Sequence, residues 1–96
     1  MRPSTSLNQH REEILRVVQS HHAANVRVFG SVLRGDDIEG SDLDLLVDTT
    51  SETTLFDIGA IRHQLRQLLQ IPVDVLTPKS LPASFREQIL REARPL

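Results

Sequence analysis

The chain has no cysteine, no tyrosine and no tryptophan, and only three phenylalanines among its 96 residues. Without cysteine, a disulfide scaffold and a thiolate zinc site are both excluded. So few aromatic rings leave no platform on which bases could stack. No apolar run is long enough to cross a bilayer, and the N-terminus lacks the apolar stretch of a signal peptide. There is no block of basic residues, and the formal net charge is −2. Both facts argue against direct binding of nucleic acid as the main role. The expectation is a cytoplasmic protein with no membrane contact, and one domain over residues 1–96 with a modest core.

What is present is concentrated between residues 26 and 47. Val26-Arg27-Val28-Phe29 is rich in β-branched and aromatic side chains and predicts a short strand. Gly30 ends it, and a residue without a Cβ lets an anion approach the main chain closely. Ser31 can then open a short helix to about Arg34. A helix start carries free N–H groups and the positive end of the peptide dipoles, which together suit phosphate. Gly35 closes the turn, and the chain returns through Gly40 to a second strand, Leu43-Asp44-Leu45-Leu46-Val47.

In a strand, residues i and i+2 project to the same face. Asp42 and Asp44 therefore stand side by side. Two carboxylates held this close repel unless a cation lies between them. Mg²⁺ suits the position, since it takes oxygen ligands from carboxylates and substrate phosphates. Ile71-Pro72-Val73-Asp74-Val75-Leu76 predicts a third strand, with Asp74 its one charged residue. A charge flanked by valines on such a strand requires a partner. Asp74 either joins Asp42 and Asp44 or pairs with an arginine. In the first case, three carboxylates would hold two Mg²⁺ ions.

Gly30-Ser31, the spacer, Asp42-Leu43-Asp44 and the later Asp74 resemble the signature of the DNA polymerase beta-like nucleotidyltransferase superfamily. At this length the chain is similar to its minimal nucleotidyltransferase branch, over about residues 25 to 96. The resemblance implies an α/β (α+β) fold, a small mixed sheet flanked by helices. It implies that Gly30 and Ser31 bind the triphosphate of ATP and that Asp42 and Asp44 hold the metal ions. Asp74 corresponds to the third acidic residue, which assists the attacking hydroxyl. Arg34, in Gly-Ser-x-x-Arg-Gly, falls on a position that is commonly basic in small members and is a further nucleotide-binding candidate.

Members of this branch are generally one half of a toxin–antitoxin pair whose other half is a HEPN-domain ribonuclease. The resemblance therefore implies transfer of AMP from ATP to a hydroxyl of a cognate HEPN toxin, with tyrosine the expected acceptor. Two alternatives remain. One is an antitoxin that acts by occlusion without chemistry. The other is a subunit that nucleotidylates a small molecule, against which the short chain counts.

The remaining pattern predicts three longer helices. Leu7 to about His21 forms one, with Ile14, Val17 and Val18 on its apolar side. Thr53 to Gln70 forms the second, with Ile58, Ile61, Leu65, Leu68 and Leu69 at helical spacing. The third starts at Pro82, a residue suited to a first helical position. Its apolar face would carry Phe85, Ile89 and Ala93, and its charged face offers Arg86 and Arg91 to a partner. His10, His21, His22 and His63 lack the spacing of a zinc site and are expected at the surface. Asp36, Asp37 and Asp48 are expected to be solvated, and Lys79 to be exposed outside the site. Residues 1–24 carry no functional motif.

Overall fold

Four strands form one sheet in the order β3-β2-β1-β4. The computed structural model describes residues 1–96, and the strands are β1 (Ala23–Phe29), β2 (Leu43–Thr49), β3 (Val73–Leu76) and β4 (Arg94–Pro95). β1 runs antiparallel to β2 and to β4, while β2 and β3 are parallel. The helices are α1 (Pro3–Gln9), α2 (Arg11–Ser20), α3 (Ser31–Arg34), α4 (Leu55–Leu69) and α5 (Ala83–Glu92), with a 3₁₀ turn at Pro78–Ser80. This is the mixed sheet flanked by helices that the resemblance implies.

Alternation along β2 assigns the two sheet faces. Leu43, Leu45 and Val47 point into the main core with Val28, Val73 and Val75. Ile14 and Val18 of α2, and Ile61, Leu65 and Leu69 of α4, cover that face. Full burial of side chains this size stabilises each by about 1.5–3 kcal/mol. The opposite face carries Asp44 and Leu46. Leu46 packs in a smaller cluster with Leu81 and Ala93, flanked by Phe29, Leu76 and Ile89. Asp44 and its register partner Asp74 thus share a face with a thin apolar layer, while the bulk of the core supports the strands from behind.

Several details depart from the sequence reading. The helix expected over residues 7–21 is two helices, α1 and α2, meeting at His10. Pro3 opens α1 at a position where its missing N–H costs nothing. The break leaves α1 docked through Leu7 in the core and Ser6, whose Oγ donates to the Leu69 carbonyl at 3.2 Å. No glycine or proline marks this break in the sequence. β4 is a two-residue edge strand that no alternation could reveal. Helix α5 starts one residue later than expected, with Pro82 as its N-cap residue. Phe85 is exposed, and Ala93 lies just past the helix end, buried.

Arg86 is not free for docking. Its guanidinium donates to the carbonyls of Pro78, Lys79 and Leu81, fastening α5 to the 3₁₀ turn. Asp48 is half-buried and paired with Arg27, and it accepts from Asn25 Nδ2 at 2.9 Å. Asp37, expected in solvent, is buried. His21 is also partly covered: it lies 3.8 Å from Asp57 and 2.9 Å from Gln64. His22 is exposed and 3.4 Å from the same Asp57, which closes a capping box with Thr54 at the start of α4.

Candidate active site

Strand register sets the site. Asp44 of β2 is the direct partner of Asp74 in parallel β3 and of Phe29 in antiparallel β1. Partners in register project to the same face. Asp44 and Asp74 therefore stand as neighbours on the face opposite the main core. Asp42 lies just before β2 and is exposed.

Gly30 follows β1 with φ 74° and ψ −149°, a conformation open only to glycine at low cost. A Cβ here would collide with Asp44 Oδ2 and lie 3.3 Å from Asp44 Cγ. The bare backbone at residue 30 is thus in direct apposition to the Asp44 carboxylate. Ser31 begins α3 immediately after, and α3 closes with Gly35 in the left-handed region. The first-turn amides of such a helix have no intrahelical acceptor.

The electrostatics are those of crowded acids. Burial pushes the Asp44 carboxyl up to about 6, and the charges of Asp74 and Asp42 add to the shift. Arg34 acts in the opposite sense. Its side chain is exposed, and its Nε lies 3.3 Å from Asp36 Oδ2. Arg34 is thus near enough to be felt at Asp44, while its direct ion pair is with Asp36.

Asp74 has a partner that the sequence named only as an unspecified arginine. Arg66 of α4 places Nη2 3.6 Å from Asp74 Oδ1 and donates through Nε to the Val73 carbonyl at 3.0 Å. Asp74 is thus the register neighbour of Asp44 and also meets an arginine. Nothing in the spacing of Arg66, on another element, could have selected it.

The donor set fits a hard, oxygen-seeking cation. It consists of carboxylates, without sulfur or imidazole, and its central member has its proton affinity raised by burial first and by its acidic neighbours next. A cation would relieve that repulsion. The three carboxylates do not close on a common point as they stand.

A glycine-held turn thus stands beside paired acids on adjacent strands. The chain matches the model of the nucleotidyltransferase domain over residues 8–96 and belongs to that family. A relative from Thermococcus cleftensis, named protein adenylyltransferase MntA, is 32% identical over 89 residues, covering 84% of this chain and 90% of the relative. A solved structure described as a candidate minimal nucleotidyltransferase superposes with a TM-score of 0.86 at 44% identity, covering 97% of this chain and 95% of its own. The fold also matches a toxin–antitoxin crystal structure with AMP-PNP, at a TM-score of 0.73 and 17% identity, over 88% of this chain and 69% of that one. No helix here is long and apolar enough to cross a membrane.

Proposed function

We propose that this chain is an antitoxin that transfers AMP from ATP to a hydroxyl, expected to be a tyrosine's, on a cognate HEPN ribonuclease. The observation that carries the reading is the apposition of Asp44 to Gly30 on one side and to Asp74 on the other. That arrangement sets acids beside a bare backbone turn, which is what phosphoryl chemistry needs. The names of the relatives support the protein acceptor, and the toxin–antitoxin fold match supports the kind of partner.

In this reading Gly30 and Ser31 bind the triphosphate through the main chain at the start of α3, and Arg34 offsets its charge. Asp42, Asp44 and Asp74 would hold Mg²⁺, which supplies charge neutralisation on the triphosphate and the departing pyrophosphate. The acceptor oxygen attacks the α-phosphorus in line and forms the new P–O bond. The bond from the α-phosphorus to the bridging oxygen breaks, and pyrophosphate leaves. Asp74 takes the hydroxyl proton. Positioning and charge neutralisation carry most of the rate.

Intact mass of the purified toxin, incubated with this chain, ATP and Mg²⁺, tests the proposal. A gain of one or more AMP units is expected. A stable complex with no mass change would replace transfer by occlusion.

A further inference from the structure

Asp37 is a buried acid that the transfer chemistry does not use. It lies in the loop between α3 and β2, the segment that leads into Asp42. Its side chain has no exposed surface. Oδ2 accepts the Ser4 backbone N–H at 2.9 Å, and Arg2 Nη2 stands 3.5 Å from Oδ1. The Ser4 amide belongs to the first turn of α1, where N–H groups lack intrahelical acceptors and favour an anion. The Ser4 bond holds the Asp37 carboxyl below the usual carboxylate range; burial opposes this and Arg2 assists it.

The helix that Asp37 caps is itself anchored. Leu7 packs in the main core, and Ser6 Oγ bonds the end of α4. Beyond Asp37 the loop has one other long-range tie, an exposed ion pair in which Glu39 Oε1 lies 3.5 Å from the Met1 amino group, and its remaining bonds are weak anchors. Ile38 N–H donates to Ser41 Oγ at 3.0 Å, and Ser41 N–H returns to the Ile38 carbonyl at 3.0 Å. Both bonds are local, and Ile38 is 69% exposed. A bond from this loop to a docked helix spans more than thirty residues of sequence and fixes the loop against the body of the fold.

We propose that Asp37 is a positioning residue: by capping α1 it fixes the loop that delivers Asp42 beside Asp44, so the first helix supports the nucleotide site. The inference rests on the reading of Asp42 as part of that site. It gives a role to residues 1–9, which carry no motif of their own.

Amide hydrogen exchange of the full chain tests this, with Asp37→Ala and Asp37→Asn. Asparagine keeps an oxygen for the Ser4 N–H, and alanine does not. In Asp37→Ala, residues 38–42 should exchange about five- to tenfold faster, the size of a lost helix cap. The Mg²⁺ concentration that half-supports ATP binding should rise in the same variant, and Asp37→Asn should restore both. If only residues 3–9 loosen while residues 38–42 keep the wild-type rate, Asp37 is a helix cap and the proposal falls. Should Asp37→Ala fail to fold, the wild type decides. Ser4, Ile38 and Ser41 amides should open at a common rate. An Ile38 and Ser41 exchanging freely beside a protected Ser4 would overturn the proposal. A wild type that transfers no AMP would sink the functional reading alone, because the exchange pattern is measured without turnover.

Discussion

The Asp44 carboxylate occupies the space that a side chain on Gly30 would need. Gly30 lies just past the end of β1 and Asp44 near the start of β2, and the antiparallel register of the two strands brings them together. Gly30 also has a positive φ, so alanine there meets strain and collision at once. Gly30→Ala should destabilise the fold by about 1–3 kcal/mol and displace Asp44 as well. Chemical denaturation would measure the first effect, and calorimetric titration with ATP and Mg²⁺ the second. A variant with unchanged midpoint and unchanged affinity would show that this apposition has no functional weight.

Asp44 makes stability and ligand binding respond to pH in opposite directions. Its pKa is raised from 3.8 to about 6, by burial first and by Asp74 and Asp42 next. A carboxyl with a raised folded-state pKa favours the fold while protonated. That contribution is fully present below the unfolded value and is lost as pH rises through about 6. The ligand-free protein should therefore lose stability from this group across that interval, and Asp44→Asn should flatten the slope. Binding of ATP with Mg²⁺ should instead weaken as pH falls below about 6, where Asp44 takes up a proton. Melting curves and titrations on the same samples would check both signs.

Chemistry and complex formation should separate in the double variant Asp42→Asn with Asp44→Asn. The substitutions keep volume and remove like charges, so the fold should survive and gain stability. AMP transfer should disappear, with toxin binding retained. EDTA should do the same to the wild-type protein. If the double variant protects cells fully from the toxin, occlusion accounts for the antitoxin action. Normal transfer by the double variant would remove these two residues from the chemistry.

Much of the site region was legible because its information is local. Gly30 ends a β-branched run, and Asp44 sits in the apolar run Leu43–Val47 that reads as a strand, although Asp42 lies just before that strand and outside its periodicity. The helical spacing of Ile61, Leu65 and Leu69 identified α4 for the same reason. What the sequence hid depends on contacts between distant segments. Asp37 looks like any loop acid until Ser4 is brought to it. Arg66 looks like an ordinary helix-surface residue until β3 passes beneath it. Arg86 looks like a docking residue until the 3₁₀ turn presents two carbonyls and Leu81, just past it, a third. The break at His10 lacks any helix-stop residue, so periodicity ran through it. β4 is only two residues long, below the length at which alternation can be read.

The Asp74–Arg66 pair allows chemistry and stability to be distinguished at one position. The two side chains are 44% and 39% exposed and 3.6 Å apart. A pair this wet contributes about 0–1 kcal/mol. Asp74→Asn should therefore leave the melting midpoint nearly unchanged. If Asp74 takes the acceptor proton, the same substitution should slow transfer by about a hundredfold or more. Toxin affinity should change little, since Asp74 would act on the reacting oxygen. Arg66 should behave differently. Arg66→Met removes the bond to the Val73 carbonyl on edge strand β3, so it should lower stability by about 1 kcal/mol. It should also slow transfer less than Asp74→Asn does, because the acid itself remains. Single-turnover kinetics, a binding isotherm and a denaturation curve for each variant would decide the matter. If Asp74→Asn melts early and transfers AMP at the wild-type rate, Asp74 is a structural partner of Arg66 and the proton goes elsewhere.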